Sequence, residues 1–318
     1  MEVARKTRHI PAMDIPPQPW PTGLAEQCEP LVRRVLAPNP SPCTFTGTET
    51  YVVGAGAEVA VIDPGPVGTG EPGHADTNAF DSKGRGHVAA ILAAIGDAKL
   101  VAILCTHTHR DHSPAAAPLK AATGAPIIGC APLVLKDDGP RADAAFDPTY
   151  APDRILTDGE RISGDGWTIE AVATPGHTSN HLCYSLVESG ALFTGDHVMG
   201  WSTSVVSPPD GDMAAYLQSL QKLHDRTDRV LYPAHGPAVD NPRQLVRGMM
   251  GHRRQRESQI VRLLGEGPQQ IPAMVTRMYK GLDPRLAGAA GRSVLAHLVD
   301  LERQGRVSRS GDLWTIQP

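Results

Sequence analysis

The sequence predicts an α/β fold that carries a small, mostly helical module at its C-terminal end. Three observations lead there. Short β-like runs recur along the first 241 residues, each closed by a cluster of Gly, Pro, Asp or His. The 29 prolines and 32 glycines imply many loops rather than a helical bundle. From Pro242 onward the pattern turns helical and the charge changes sign: 13 Lys and Arg stand against 6 Asp and Glu, compared with 17 against 28 before that point. Such an asymmetry predicts two modules with different surfaces.

Residues 1–28 are Pro-rich and read as a surface wrap. Residues 29–243 hold the α/β body. Its first strands are Leu31–Leu36, Thr50–Val53 and Val59–Ile62, the last stopped by Asp63-Pro64-Gly65-Pro66. The polar, Gly-rich stretch 67–86 reads as an exposed loop. Val88–Ile95 has helical spacing, and Leu100–Leu104 reads as a buried strand. A helix over Pro114–Ala122 stops at Gly124. Ile155–Asp196 is rich in β signals, with Glu188-Ser189-Gly190 as a hairpin turn. Asp212 can cap a helix whose apolar residues are Met213, Tyr216, Leu217, Leu220 and Leu223. Val230–Tyr232 is a last short strand.

Residues 244–318 form the second module. An Arg-rich helix runs from Gln244 to Leu264 and stops at Gly265. Pro272–Tyr279 is a short helix. A third carries Val294, Leu295, Leu298 and Leu301 on one face and stops at Gly305. Arg306–Arg309 and Leu313–Ile316 then flank Ser310-Gly311-Asp312 as a hairpin. Helix, helix, helix, hairpin is the order of a winged helix.

Composition narrows the functional classes. The net charge of −4 announces no global field for nucleic acid. The basic start lacks an apolar segment behind it, and no apolar run approaches 18 residues. No secretory leader and no membrane span are therefore expected. The five cysteines (Cys28, Cys43, Cys105, Cys130, Cys183) are odd in number and form no C-x-x-C pair. Reduced thiols in a cytoplasm are the expectation.

The chemistry concentrates in CTHTHRDHS, residues 105–113. His107, His109, Asp111 and His112 are residue types that bind Zn²⁺-like ions. Neither a regular helix nor a strand would aim all four at one point, whereas a loop leaving a strand end could wrap them around two ions. TPGHTSNH supplies His177, FTGDHVMG supplies Asp196 and YPAHGP supplies His235, each at a strand-to-loop boundary. Cys105 reads as a small buried strand residue rather than a nucleophile. His181 and His197 sit beside these residues and are read either as hydrogen-bond donors to them or as structural. His9, His74, His87, His224, His252 and His297 have no such context and are read as surface residues.

The set THTHRDH, PGHT, TGD and AHGP resembles the metallo-β-lactamase superfamily, which implies an αββα sandwich. By that resemblance His107, His109 and His177 bind one divalent ion, Asp111, His112 and His235 bind a second, and Asp196 bridges them. Zn²⁺ is the expected ion, with Mn²⁺ and Fe²⁺ the others such donors accept. A metal-bridging hydroxide would attack a carbonyl or phosphorus, with Asp111 as the catalytic residue that orients it. By the same resemblance a bridging Asp196 is a feature of glyoxalase II and the tRNA 3′-processing ribonucleases that true β-lactamases generally lack, which makes a periplasmic antibiotic-degrading enzyme a weaker expectation.

From about Leu31 onward the chain is also similar to the β-lactamase-like protein 2 group. The resemblance rests on THTHRDHS, on YPAHGPAVDNPRQLVRGMMGHRRQRESQI and on LAHLVDLERQGRV. It implies an endoribonuclease on single-stranded RNA, with Arg110 binding substrate. The resemblance implies two alternatives, a thioesterase or other small acyl hydrolase of the glyoxalase II kind and a weak β-lactamase. A winged-helix regulator without enzymatic activity is the remaining class. Arg243, Arg247, Arg253, Arg254, Arg256 and Arg262 are read either as a phosphate-binding face or as a helix packed on the body or on a second subunit of a homodimer.

Overall fold

The computed structural model describes residues 21–67, 86–134 and 146–317. Apart from its two ends, the 67–86 loop read from the sequence lies outside the described residues, as do residues 1–20.

The first sheet has seven strands in chain order. It opens with an antiparallel meander, β1 (Ala25–Glu29), β2 (Val32–Leu36), β3 (Glu49–Val53) and β4 (Glu58–Ile62). Helix α1 (His87–Ile95) then leads to β5 (Lys99–Cys105), and α2 (Ala116–Thr123) to β6 (Ile127–Gly129). β5, β6 and the two-residue β7 (Arg154–Ile155) extend the sheet in parallel from β4. Gly124 closes α2 at φ +74°, as its position after the apolar run predicts.

The second sheet joins β8 (Arg161–Gly164), β9 (Trp167–Ala173), β10 (Leu182–Leu186) and β11 (Ala191–Gly195) antiparallel. After α3 (Met213–Asp225), β12 (Val230–Pro233) lies parallel to β11. The two-residue period of a strand sorts its side chains between two cores. Trp167, Ile169, Ala171, Tyr184, Phe193 and Tyr232 point at the first sheet and join Tyr51, Ile62 and Leu104. Val172, Cys183, Leu192 and Leu231, one register away, face Met213, Tyr216, Leu220 and Leu223 of α3. α1 and α2 cover the other face of the first sheet through Ile91, Ile95 and Leu119. Helix, sheet, sheet, helix is the αββα sandwich. Trp167 ties the sheets together: its ring is 1% exposed and its Nε1 donates to the Glu58 carbonyl at 2.8 Å.

The C-terminal module contains α4 (Pro242–Gly265), α5 (Ile271–Met278), α6 (Ala287–Arg303) and the hairpin β13 (Val307–Ser310) and β14 (Leu313–Ile316), the winged-helix order. α4 is 24 residues long, about 36 Å at 1.5 Å per residue, so it serves two cores. Val246, Met249 and Met250 pack with α3. Ile260, Leu263 and Leu264 pack with Met274, Leu298, Leu301 and Trp314. A boundary drawn at residue 244 therefore falls at the head of a helix that both halves share.

Two expectations change. Residues 25–28, read as part of a surface wrap, pair with β2 as the edge strand β1. His87 and His297, read as surface residues, are each 2% exposed. His87 starts α1 and places Nε2 2.8 Å from Thr50 Oγ1. Arg253, read either with a phosphate-binding face or as packed on the body, is 2% exposed, the packed alternative. Arg256 turns inward too. It donates to the Met278 carbonyl and to Gln259, and it lies 4.2 Å over the Tyr279 ring.

Candidate metal centre

β4, β5, β9, β11 and β12 run in one direction within their sheets, so their C-terminal ends open on one edge of the sandwich. The loop after β5 carries His107, His109, Asp111 and His112, the loop after β9 carries His177, and the ends of β11 and β12 lead to Asp196 and His235. All seven meet in two clusters. Donor atoms of His107, His109, His177 and Asp196 lie within 4.8 Å of one another, as do those of Asp111, His112 and His235. His109 Nδ1 is 3.0 Å from His107 Nε2 and 3.2 Å from His177 Nε2. Asp196 stands between the clusters. Its Oδ2 is 3.6 Å from His177 Nε2, while its Oδ1 is 3.5 Å from His112 Nε2 and 3.2 Å from His235 Nε2. Asp111 Oδ2 lies 3.3 Å from His235 Nε2 and 3.6 Å from His112 Nε2.

Hydrogen bonds on the far side of the rings set their orientation. His177 Nδ1 faces the Val205 carbonyl at 2.6 Å and His235 Nδ1 the Gly47 carbonyl at 3.1 Å, so both nitrogens must donate. His112 Nδ1 is 3.0 Å from the Asp63 carboxylate. Thr106 Oγ1 donates to Asp63 and so accepts from His107 Nδ1 at 3.0 Å. In each neutral ring the proton then sits outside, and the Nε2 lone pair points inward. Four inward lone pairs beside two carboxylates make a site for cations. Asp111 and Asp196 make this point favour positive charge, whether a proton or a metal ion: burial opposes charge on His112 and His235, but the two carboxylates outweigh it and push both upward. His112 Nε2 and Asp196 Oδ1 are buried with no hydrogen-bond partner. The donor set fits a pair of divalent ions.

Asp63 is the residue that sequence reasoning missed. Read as a strand stop, it is 2% exposed and accepts from the Thr106 N–H and hydroxyl as well as His112. It holds φ +47°, in the left-handed region that costs a non-glycine residue energy. The available signal was a carboxylate directly after a buried strand that neighbours the His-rich one. Gly195 is required by the same crowding, since a Cβ there would lie 2.6 Å from Thr106 Oγ1.

His181 and His197 are buried beside the centre but lie in neither cluster. The His181 ring packs 5.2 Å from that of His107, and its Nδ1 pairs with Thr174 Oγ1. His197 packs 4.7 Å from the Tyr216 ring. Arg110 is exposed, with its Nε donating to the Phe146 carbonyl at 3.3 Å.

A sandwich with this donor set at one edge defines a metal-dependent hydrolase. The chain belongs to the metallo-β-lactamase superfamily, whose model matches residues 43–235, and the β-lactamase-associated winged helix domain matches residues 271–314. A β-lactamase-like protein 2 homolog of Drosophila melanogaster is 31% identical over 303 residues, 90% of this chain and 94% of that protein. An atrochrysone carboxyl ACP thioesterase of Cryptosporiopsis is 31% identical over 259 residues, 80% of this chain and 70% of that protein. A β-lactamase domain protein from Burkholderia ambifaria shares the fold at TM-score 0.74 and 20% identity, over 96% of each chain. Among the described residues no helix is long and apolar enough to cross a membrane, and the five cysteines are unpaired.

Proposed function

We propose that the protein is a two-metal hydrolase of acyl esters, with thioesters as the substrate class. Asp196 carries the two-metal part of this reading, because its two carboxylate oxygens face different clusters. Bound there, a pair of divalent ions supplies a nucleophile from water at neutral pH and a Lewis acid for the carbonyl. The chain's own residues do the rest. Thr106, Asp63, Val205 and Gly47 fix the imidazole tautomers. Asp111, 27% exposed at its side chain, is a donor open to substrate and the candidate to orient the attacking group. Relatives named as thioesterases support the acyl substrate. The inward turn of Arg253 and Arg256 supports it too, because it takes two cations out of the basic face.

Single-stranded RNA is the second reading. Arg243, Arg247 and Arg254 remain exposed on one side of α4, a stripe that suits phosphates. The metal-loaded protein is to be assayed on an acyl thioester, single-stranded RNA, S-lactoylglutathione and a chromogenic β-lactam. Thioester turnover that vanishes in Asp111→Ala is the expected result. RNA cleavage that vanishes in Asp111→Ala, without thioester turnover, would establish the second reading. Fast β-lactam turnover alone would overturn both.

A further inference from the structure

His177 reaches the first cluster from a loop, and two neighbouring segments hold it there. Its Nδ1 donates to the Val205 carbonyl at 2.6 Å. The carbonyl of Gly176, the residue before it, accepts from Asp212 N–H at 2.9 Å. Both supports lead to the C-terminal module. Arg253, at the middle of α4, donates through Nη2 to the carbonyl of Ser204, the residue beside Val205. Its guanidinium lies 5.1 Å over the Tyr216 ring. Ser204 Oγ and Tyr216 OH both donate to the His197 carbonyl, at 2.9 and 3.1 Å, so the loop after Asp196 is fixed at both ends. Arg303, in the last turn of α6, pairs with the Asp212 carboxylate. Gly176 admits no side chain, because its Cβ would lie 2.3 Å from Tyr216 Cα.

Burying Arg253 is expensive. Among the described residues it pairs with no carboxylate, and its Nε has no hydrogen-bond partner. Apolar side chains of similar volume often replace buried charges at no loss of stability. An apolar chain could not grip the Ser204 carbonyl. We propose that the C-terminal module is a positioning device for the His107, His109 and His177 metal site, with Arg253 as its main residue. By fixing Ser204, Arg253 fixes the adjacent carbonyl that sets the tautomer and angle of His177. Arg303 braces the other flank. The proposal rests on the reading of that cluster as a metal site, and it gives the winged-helix module a role inside the hydrolase that needs no nucleic acid.

The test compares Arg253→Met with the parent protein in an Asp111→Ala background, which weakens the second site and leaves the first to be titrated. Co²⁺ affinity is read by competition with a chromophoric chelator, and the d–d absorption reports the ligand geometry. Arg253→Met should weaken the first site about 10-fold, the low end of the range for outer partners of metal ligands, and alter the spectrum. With Asp111 intact, the second site should keep its affinity. Arg253→Lys should restore much of the loss. Arg303→Gln, on an exposed side chain, should weaken the same site by a smaller factor, and it carries the test should Arg253→Met fail to fold. Equal weakening of both sites, or no weakening in either variant, would overturn the proposal. A parent protein that binds no Co²⁺ at all would overturn the metal reading, and the proposal with it.

Discussion

Asp196→Ala is expected to reduce hydrolysis by well over 100-fold and to leave a protein that no longer retains two ions. Loss of a hydrogen-bond partner behind a metal ligand costs about 10–100-fold in affinity or activity, and Asp196 stands in front of the ligands rather than behind them. Its oxygens face both clusters at 3.2–3.6 Å. Burial would raise its carboxyl, but His235 and His112 outweigh burial and hold it well below the usual carboxylate range. The anion is therefore present at neutral pH, and alanine removes negative charge from both sites at once. Asp196→Asn separates shape from charge: the amide keeps the volume, loses the anion, and should fail nearly as badly. Metal content by elemental analysis, beside turnover, is the check. Two retained ions with near-normal turnover would show that each cluster holds its ion alone.

The metal-free protein is expected to lose stability steeply in mild acid. Burial holds His87, His109, His197 and His297 down at about 3, against an ordinary 6.5. The facing His177 adds to this at His109 and His197, and the Arg253 charge adds to it at His297. Below pH 6.5 the unfolded chain takes up protons that the native chain refuses, so stability falls as pH falls toward the native values. Each histidine contributes about 1.4 kcal/mol per pH unit in that window, and four together up to ~5 kcal/mol per unit. His112 and His235, pushed upward, act the other way. Their stabilisation is complete below pH 6.5 and is lost above it, so they do not cancel the acid slope. The urea midpoint of chelator-treated protein should drop sharply from about pH 6 to about pH 5. A constant midpoint would mean that these rings are not held neutral.

What was legible in the sequence was what local pattern controls. The His-rich loop after β5 and the residues after β9, β11 and β12 stood out, because strand ends are marked by Gly and Pro and unusual side chains follow them. The helices of the C-terminal module were legible from their apolar spacing and glycine stops. Strands without an apolar signature were not. AEQCE of β1 and the exposed RI of β7 are edge strands, held by ladder hydrogen bonds rather than by burial. Asp63 looked like punctuation, because its partners Thr106 and His112 lie 43 and 49 positions away. His297 was misread by residue type, and Arg253 was left between two readings, although the spacing of both was informative. Arg253 continues the Val246, Met249, Met250, Ile260 stripe of α4, and His297 stands three and four positions from Val294 and Leu301 on α6.

The most direct test of the central claim is the metal content of the purified protein, measured with its hydrolytic activity before chelation, after it, and after re-addition of ions. Two divalent ions per chain are predicted, with activity lost on their removal and recovered on their return. Full turnover by the metal-free protein would contradict the account.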